Sequence, residues 1–274
     1  MKKLLLALLT SCLLFANLSA LIVEAPNLDP FEKELENVDQ NSFVLFDVDE
    51  TLLVPKDLIL NPYAREIWNN FAKETIKNPI IVPPGKHHDE YFLGQVLSKI
   101  EYEVVDPKIV EIIRTLQRKN IKTIAFTKMP VGSLGIIPSM EDWRIEHLKK
   151  HQFDFSAAFP HFQETKINVL STGISSLFKK GVLCANKQDK GPVLTAFLEF
   201  IRWKPSKVIF IDNRFDYLKS VEIALEETGI EFIGFHYKDV ENRPRIVNDS
   251  LAKFQLMHLA QTGEWLSDQE ASEF

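Results

Sequence analysis

Cysteine is nearly missing from this sequence: of 274 residues, only Cys12 and Cys184 carry a thiol. Cys12 lies in the apolar N-terminal segment, so removal of that segment leaves one thiol and no internal disulfide. The fold must then stand on its hydrophobic core, even in an oxidising compartment. Cys184 falls in the run Val182-Leu183-Cys184-Ala185, which reads as a small buried hydrophobe rather than a nucleophile. An excess of positive charge is missing too. The formal net charge is −6, which supplies no general electrostatic pull toward nucleic acid and favours small phosphorylated substrates over polynucleotides. Internal repeats, low-complexity tracts and long linkers are not found. With 45% hydrophobic and 26% charged residues, the chain is globular, long enough for one large domain or a core with a modest insertion.

The one long apolar run is at the start. Lys2 and Lys3 precede residues 4–18, and the run ends near Ser19-Ala20. A basic segment, a short apolar stretch and a small residue at a cleavage point predict a secretory signal over residues 1–20. A buried first helix or a membrane anchor is the alternative. The run is short for a span, and no stop-transfer flank follows Ala20, so no stable span is expected in the mature form. Loss of Lys2 and Lys3 moves the formal charge from −6 to −8. Leu9-Thr10-Ser11-Cys12 resembles a lipobox, but Leu13, Leu14 and Phe15 continue the apolar run where a lipoprotein turns polar. Export to the periplasm or beyond is the expectation, with lipidation at Cys12 the lesser alternative.

Beyond residue 20, short apolar runs alternate with amphipathic stretches. Strands are predicted at residues 43–46, 121–126, 207–211 and 231–235, and helices at 107–119, 193–203 and 215–227, with a closing helix over 245–266. That alternation predicts an α/β fold, a parallel sheet with helices on both faces. Two stretches interrupt it. Residues 52–106 hold a helix at 63–77, a proline-rich turn at 79–85 and a second helix at 91–100, and read as a mainly helical inserted cap. Residues 128–187 hold a helix at 141–151 and two extended pieces around 155–159 and 181–185, and read as a smaller insert. Residues 21–51 and 107–274 form the expected core. Both inserts leave the C-terminal end of a strand, the edge where open α/β sheets bind ligands.

The chemistry-bearing residues stand at those edges. Asp47-Val48-Asp49-Glu50-Thr51 follows the first buried run directly. A carboxylate can attack phosphorus when a divalent cation screens the repulsion, and a second carboxyl nearby can protonate the leaving oxygen. Taken alone, the pair reads equally well as turn or capping chemistry. Later residues add to it. Thr127 ends an apolar strand with a hydroxyl suited to a phosphate oxygen. Lys190 opens a helix, where its ammonium can neutralise phosphate charge. Asp212 ends the strand Val208-Ile209-Phe210-Ile211, with Asp216 four residues on. Carboxylate oxygens with waters and a phosphate oxygen suit octahedral Mg²⁺. Individually these are a strand cap, a solvated helix start and an N-cap; their order together points to one site.

This set resembles the haloacid dehalogenase superfamily. Its first motif, D-x-D-x-[TV], matches Asp47-Val48-Asp49-Glu50-Thr51, and the strand ending in Thr or Ser matches Thr127. The motif lysine matches Lys190, and the D-x-x-x-D motif matches Asp212 and Asp216. The resemblance spans residues 42–237 and extends to a group of secreted proteins of unknown function from intracellular bacteria. It implies a Rossmann-like core, an aspartyl-phosphate intermediate, and Mg²⁺ held by Asp47, the Asp49 backbone carbonyl and Asp212. An acid two residues after the nucleophile is similar to the phosphatase members, since dehalogenases lack it and transport ATPases carry threonine. Two departures stand out. Asn213 follows Asp212 where some relatives have paired acids, which leaves Asp216 to supply the second carboxylate. Lys187 also competes for the lysine role, though Gly191-Pro192 and an apolar helix follow Lys190 at once.

Other notable residues weigh less. His87-His88-Asp89-Glu90 reads as a solvated loop rather than a metal cluster, because adjacent loop side chains rarely converge on one ion. Phe159, His161 and Phe162 can line a pocket or fill the core. The resulting expectation is a Mg²⁺-dependent phosphohydrolase of a small phosphomonoester, with Asp47 as nucleophile and Asp49 as acid and base. A silent exported binding factor of the same fold and a phosphotransferase or mutase are the alternatives.

Overall fold

The computed structural model describes residues 21–75, 87–170, 172–243 and 246–274. The segment expected to be a secretory signal, Cys12 and the proline-rich turn at 79–85 lie outside the described residues. In chain order the elements are β1 (Leu21–Ala25), α1 (Asp29–Leu35), β2 (Ser42–Phe46), β3 (Leu53–Pro55), α2 (Arg65–Thr75), α3 (His88–Lys99) and β4 (Tyr102–Val104). They continue with α4 (Lys108–Arg118), β5 (Lys122–Thr127), α5 (Met140–Lys150), β6 (Glu164–Asn168), β7 (Ser175–Lys179) and β8 (Val182–Cys184). The last are α6 (Lys190–Ile201), β9 (Lys207–Asp212), α7 (Phe215–Leu225), β10 (Glu231–Tyr237), α8 (Asp239–Asn242), α9 (Asp249–Thr262) and α10 (Asp268–Ser272).

Eight strands form one sheet in the order β1-β10-β9-β2-β5-β8-β7-β6. Pairing is parallel from β1 through β8, and β7 and β6 extend the sheet antiparallel. The alternation of apolar runs and helices therefore does build a parallel sheet covered on both faces. In β2 every residue is buried because consecutive side chains enter opposite cores. Val44 and Phe46 pack with helices α1, α4 and α5, through Phe31, Ile113 and Ile145 among others. Phe43 and Leu45 pack with α6 and α7, through Phe197 and Val221.

Two segments differ from the sequence reading. Residues 155–159 are not extended: Phe155 is buried in the first core and Phe159 packs edge-on against Phe43 and Phe197 in the second. The strands of that region are β6 and β7. The C-terminal helix packs away from the sheet. Ala252, Leu256 and Leu259 of α9 share a third apolar cluster with Ile59, Ala64, Val96 and Trp265. Asp57 fastens that union by accepting hydrogen bonds from Trp265 Nε1 and the Asp268 backbone N–H, both at 2.9 Å. The segment after β2 and the C-terminal segment thus form one body beside the sheet's C-terminal edge. The short antiparallel pair β3–β4 joins it to the core, where Leu53, Val54 and Tyr102 are buried.

Candidate functional site

Strand register assembles the site. Phe46 of β2 pairs with Ile211 of β9 and Ala125 of β5, so the next residues along each strand meet at one edge. Asp47 follows Phe46, and its backbone N–H bonds the Ile211 carbonyl at 3.0 Å. Asp212 ends β9 and Thr127 ends β5. Between them enters Lys190, the first residue of α6. Its Nζ donates to Asp47 Oδ1 at 2.5 Å, to Asp212 Oδ2 at 2.7 Å and to the Phe126 carbonyl at 2.7 Å. The ammonium is fully buried, against the rings of Phe126, Phe210 and Tyr217.

A lysine this deep needs its helix held close. Gly191 makes that approach: a Cβ there would lie 2.0 Å from the Ser220 carbonyl oxygen of α7. Its backbone N–H bonds Ser220 Oγ at 3.0 Å. Glycine is required for close backbone approach, not for an unusual φ.

The charges do not balance within the trio. Two buried carboxylates share one ammonium. Burial pushes Asp47 upward against the pull of Lys190, and burial together with Asp47 pushes Asp212 up to about 8. Lys190 is held charged: its two carboxylates outweigh the desolvation that opposes its ionised form. One negative charge therefore awaits a proton or a cation. Mg²⁺ keeps most of its waters and needs only one or two protein carboxylates, the number that Asp47 and Asp212 present here, although Asp212 Oδ1 already accepts from the Arg214 backbone N–H at 2.8 Å. Among the described residues, no three His, Cys, Asp or Glu side chains gather into a metal-holding group.

Asp49 lies at the solvent side of this trio, half-exposed. Its Oδ1 accepts from Arg144 Nη2 at 2.6 Å, and its Oδ2 lies 3.5 Å from Thr127 Oγ1, a long contact. Arg144 is 3% exposed and stacks over the rings of Trp143 and Tyr102. Its Nε and Nη1 are buried without an acceptor among the described residues. Glu50 is also part of the site. Its backbone is left-handed (φ 65°), closed by its N–H on the Leu53 carbonyl at 2.8 Å. The side chain accepts from Asn213 Nδ2 at 2.7 Å and faces Arg65 at 3.5 Å. Burial pushes it up to about 7, with Arg65 opposing.

Asp47, Asp49, Thr127, Lys190 and Asp212 are thus brought together. Asp216 is not: its carboxylate is exposed and bonded to the Arg214 guanidinium at 3.0 and 3.1 Å. It sits in the first turn of α7, facing solvent, and Asn213 turns to Glu50 instead. Lys187 is exposed, on a left-handed loop residue, and does not reach the trio. Cys184 is buried, and burial pushes its thiol up to about 12, which keeps it neutral. His161 is exposed beside the second core. Arg144 and Glu50 escaped the sequence reading. Arg144 was detectable: it lies four residues from both Met140 and Leu148 on the buried stripe of α5, where a charge is out of place.

Beyond Asp49 a cleft of about 310 Å³ opens between the core edge and α2–α3. Asp49 and Glu50 form its polar end, and Arg65 stands at its rim.

The family described as "Protein of unknown function (DUF2608)" matches residues 24–272. The chain belongs to that family. Relatives include an "Uncharacterized protein" of Rickettsia felis, 28% identical over 85% of this chain and 84% of its own length. Another "Uncharacterized protein", from Rickettsia bellii, is 24% identical over 82% and 80% respectively. A protein of Chlamydia trachomatis named "Putative outer membrane protein" is 24% identical over 90% of each chain. Family membership covers the trio, Asp49, Arg144 and the C-terminal helices alike, since all lie within residues 24–272.

Proposed function

We propose that this protein is an exported, Mg²⁺-dependent phosphohydrolase of the haloacid dehalogenase type, with Asp47 as nucleophile. The observation carrying this reading is the buried Lys190 ammonium joined to both Asp47 and Asp212 at the C-terminal edge of adjacent parallel strands. A structural ion pair needs one carboxylate. Two carboxylates around one lysine suit a site that receives a cation and a phosphoryl group.

In this reading an Asp47 carboxylate oxygen attacks phosphorus, and the bond from phosphorus to the ester oxygen breaks. Asp49 delivers its proton to that oxygen as the alcohol leaves. Asp49 then takes a proton from water, whose oxygen attacks phosphorus and frees Asp47 and inorganic phosphate. Lys190 offsets the charge on Asp47 and the transferring group, and the Thr127 hydroxyl holds a phosphate oxygen. Mg²⁺ bound by Asp47, Asp212 and the Asp49 carbonyl supplies further charge neutralisation.

Export is supported by the basic and apolar residues 2–18 and by the outer-membrane name of the chlamydial relative. No helix among the described residues is long and apolar enough to cross a membrane. Phosphate release from 4-nitrophenyl phosphate, with Mg²⁺ or with EDTA, tests the enzymatic reading. Release that requires Mg²⁺ and disappears in Asp47→Asn supports it; release untouched by that change overturns it. Transfer of phosphate to added glycerol in place of water would make the protein a phosphotransferase.

A further inference from the structure

We propose that the cleft beyond Asp49 receives the ester group of an apolar phosphomonoester, an aryl or hydrocarbon-chain phosphate rather than a sugar phosphate or nucleotide. This rests on the hydrolase reading. Asp49 there hands its proton to the leaving oxygen, so whatever lies on the far side of Asp49 from the Asp47–Lys190–Asp212 trio is the leaving group's space. That space is the 310 Å³ cleft, a volume in the range of small-ligand sites.

Its walls are apolar. Ile59 and Leu60 line one side, Trp68 stands on α2, and Leu93, Val96 and Leu97 come from α3. Leu93 is 41% exposed, apolar surface that an apolar ligand would cover. Most of the polar groups nearby are already engaged; the exception is Asn61 Oδ1, buried without a partner among the described residues. Glu50 is held by Asn213 and Arg65, and the Asn61 amide donates to the Pro55 and Asp57 carbonyls at 2.9 Å each. A sugar or ribose would bury hydroxyls against side chains that offer them few partners, which is costly. A hydrocarbon or aromatic group meets no such penalty.

The test separates binding from turnover. Titration calorimetry compares 1-naphthylphosphonate with methylphosphonate, both inert to hydrolysis, and phosphate release compares 1-naphthyl phosphate with glucose 6-phosphate and AMP. The naphthyl ligand should bind at least about tenfold more tightly, the range expected for one or more buried carbon groups. Leu93→Asn, at a half-exposed position that folding tolerates, should reduce that preference severalfold, and Leu97→Asn should do the same. Equal affinity with phosphate release, or faster release from the sugar phosphate or nucleotide, overturns the inference and leaves the hydrolase reading intact. A naphthyl preference without phosphate release from any ester sustains the cleft's apolar character and overturns the hydrolase reading. Neither binding preference nor release overturns both.

Discussion

Arg144 of α5 bonds Asp49 at 2.6 Å, although 95 residues separate them in the chain. The pair is unequal, for Arg144 is buried while Asp49 is half-exposed. Arg144 leaves two nitrogens, Nε and Nη1, without acceptors among the described residues, which is costly, yet fixes the carboxyl assigned to proton transfer. Arg144→Met should therefore separate stability from activity. Methionine fills the space between Trp143 and Tyr102 and leaves behind only a carboxylate that water already reaches. Thermal melting should show an unchanged or raised Tm. Phosphate release should fall by about 10-fold to 100-fold, less than the roughly 10²–10⁴-fold that a positioned acid–base group contributes, because Asp49 itself remains. A lowered Tm with unchanged release would mean that Arg144 is simply structural.

Lys190 should behave in the opposite way. Lys190→Met removes the one cation between two fully desolvated carboxylates, and such unpaired buried charge costs about 3–5 kcal/mol. Urea unfolding should show that loss. Adding Asp212→Asn to Lys190→Met should recover part of it, because one of the repelling charges is gone. If the double variant is no more stable than Lys190→Met, the carboxylates are not what makes the lysine necessary.

The parts of this site that could be read in the sequence share one property: they are set by local order. Buried runs ending in Asp47, Thr127 and Asp212 announce strands whose next residue must emerge at an edge. Gly191-Pro192 singles out Lys190 from Lys187 because a helix begins there. What could not be read depends on packing between distant segments. Asp216 keeps the expected spacing, but the helical turn aims it at Arg214 and solvent. β6 has mostly polar, exposed residues, as an edge strand tolerates, so its period is faint. The union of α9 with Ile59 and Val96, and of Asp57 with Trp265 and Asp268, leaves no local mark in either segment.

Gly191 links the two kinds of information. Gly191→Ala should push α6 from α7, because the added carbon would meet a backbone carbonyl that cannot rotate away. Overpacking of this kind costs about 1–3 kcal/mol. The displacement should also shift Lys190 from Asp47, so phosphate release should fall by more than the loss of folded protein explains. Release per folded molecule equal to wild type would show that α6 adjusts without moving the lysine.

The pH dependence of stability follows from Glu50. In the folded protein burial raises its carboxyl from 4.5 to about 7, so between these values the folded state holds a proton that the unfolded chain has released. Stability rises with pH only where the unfolded state binds more protons; here the folded state binds more, so stability falls as pH rises from about 4.5 to 7. The contribution is full below the unfolded value and lost above the folded one. Asp212, raised to about 8, acts in the same direction and extends the loss beyond neutrality. Urea unfolding in EDTA should thus show a decline in stability from pH 5 toward 8. Glu50→Gln should flatten its lower part, because the amide keeps the hydrogen-bonding shape without ionising, while the decline assigned to Asp212 persists. A Glu50→Gln profile as steep as wild type between pH 5 and 7 would place the released proton elsewhere.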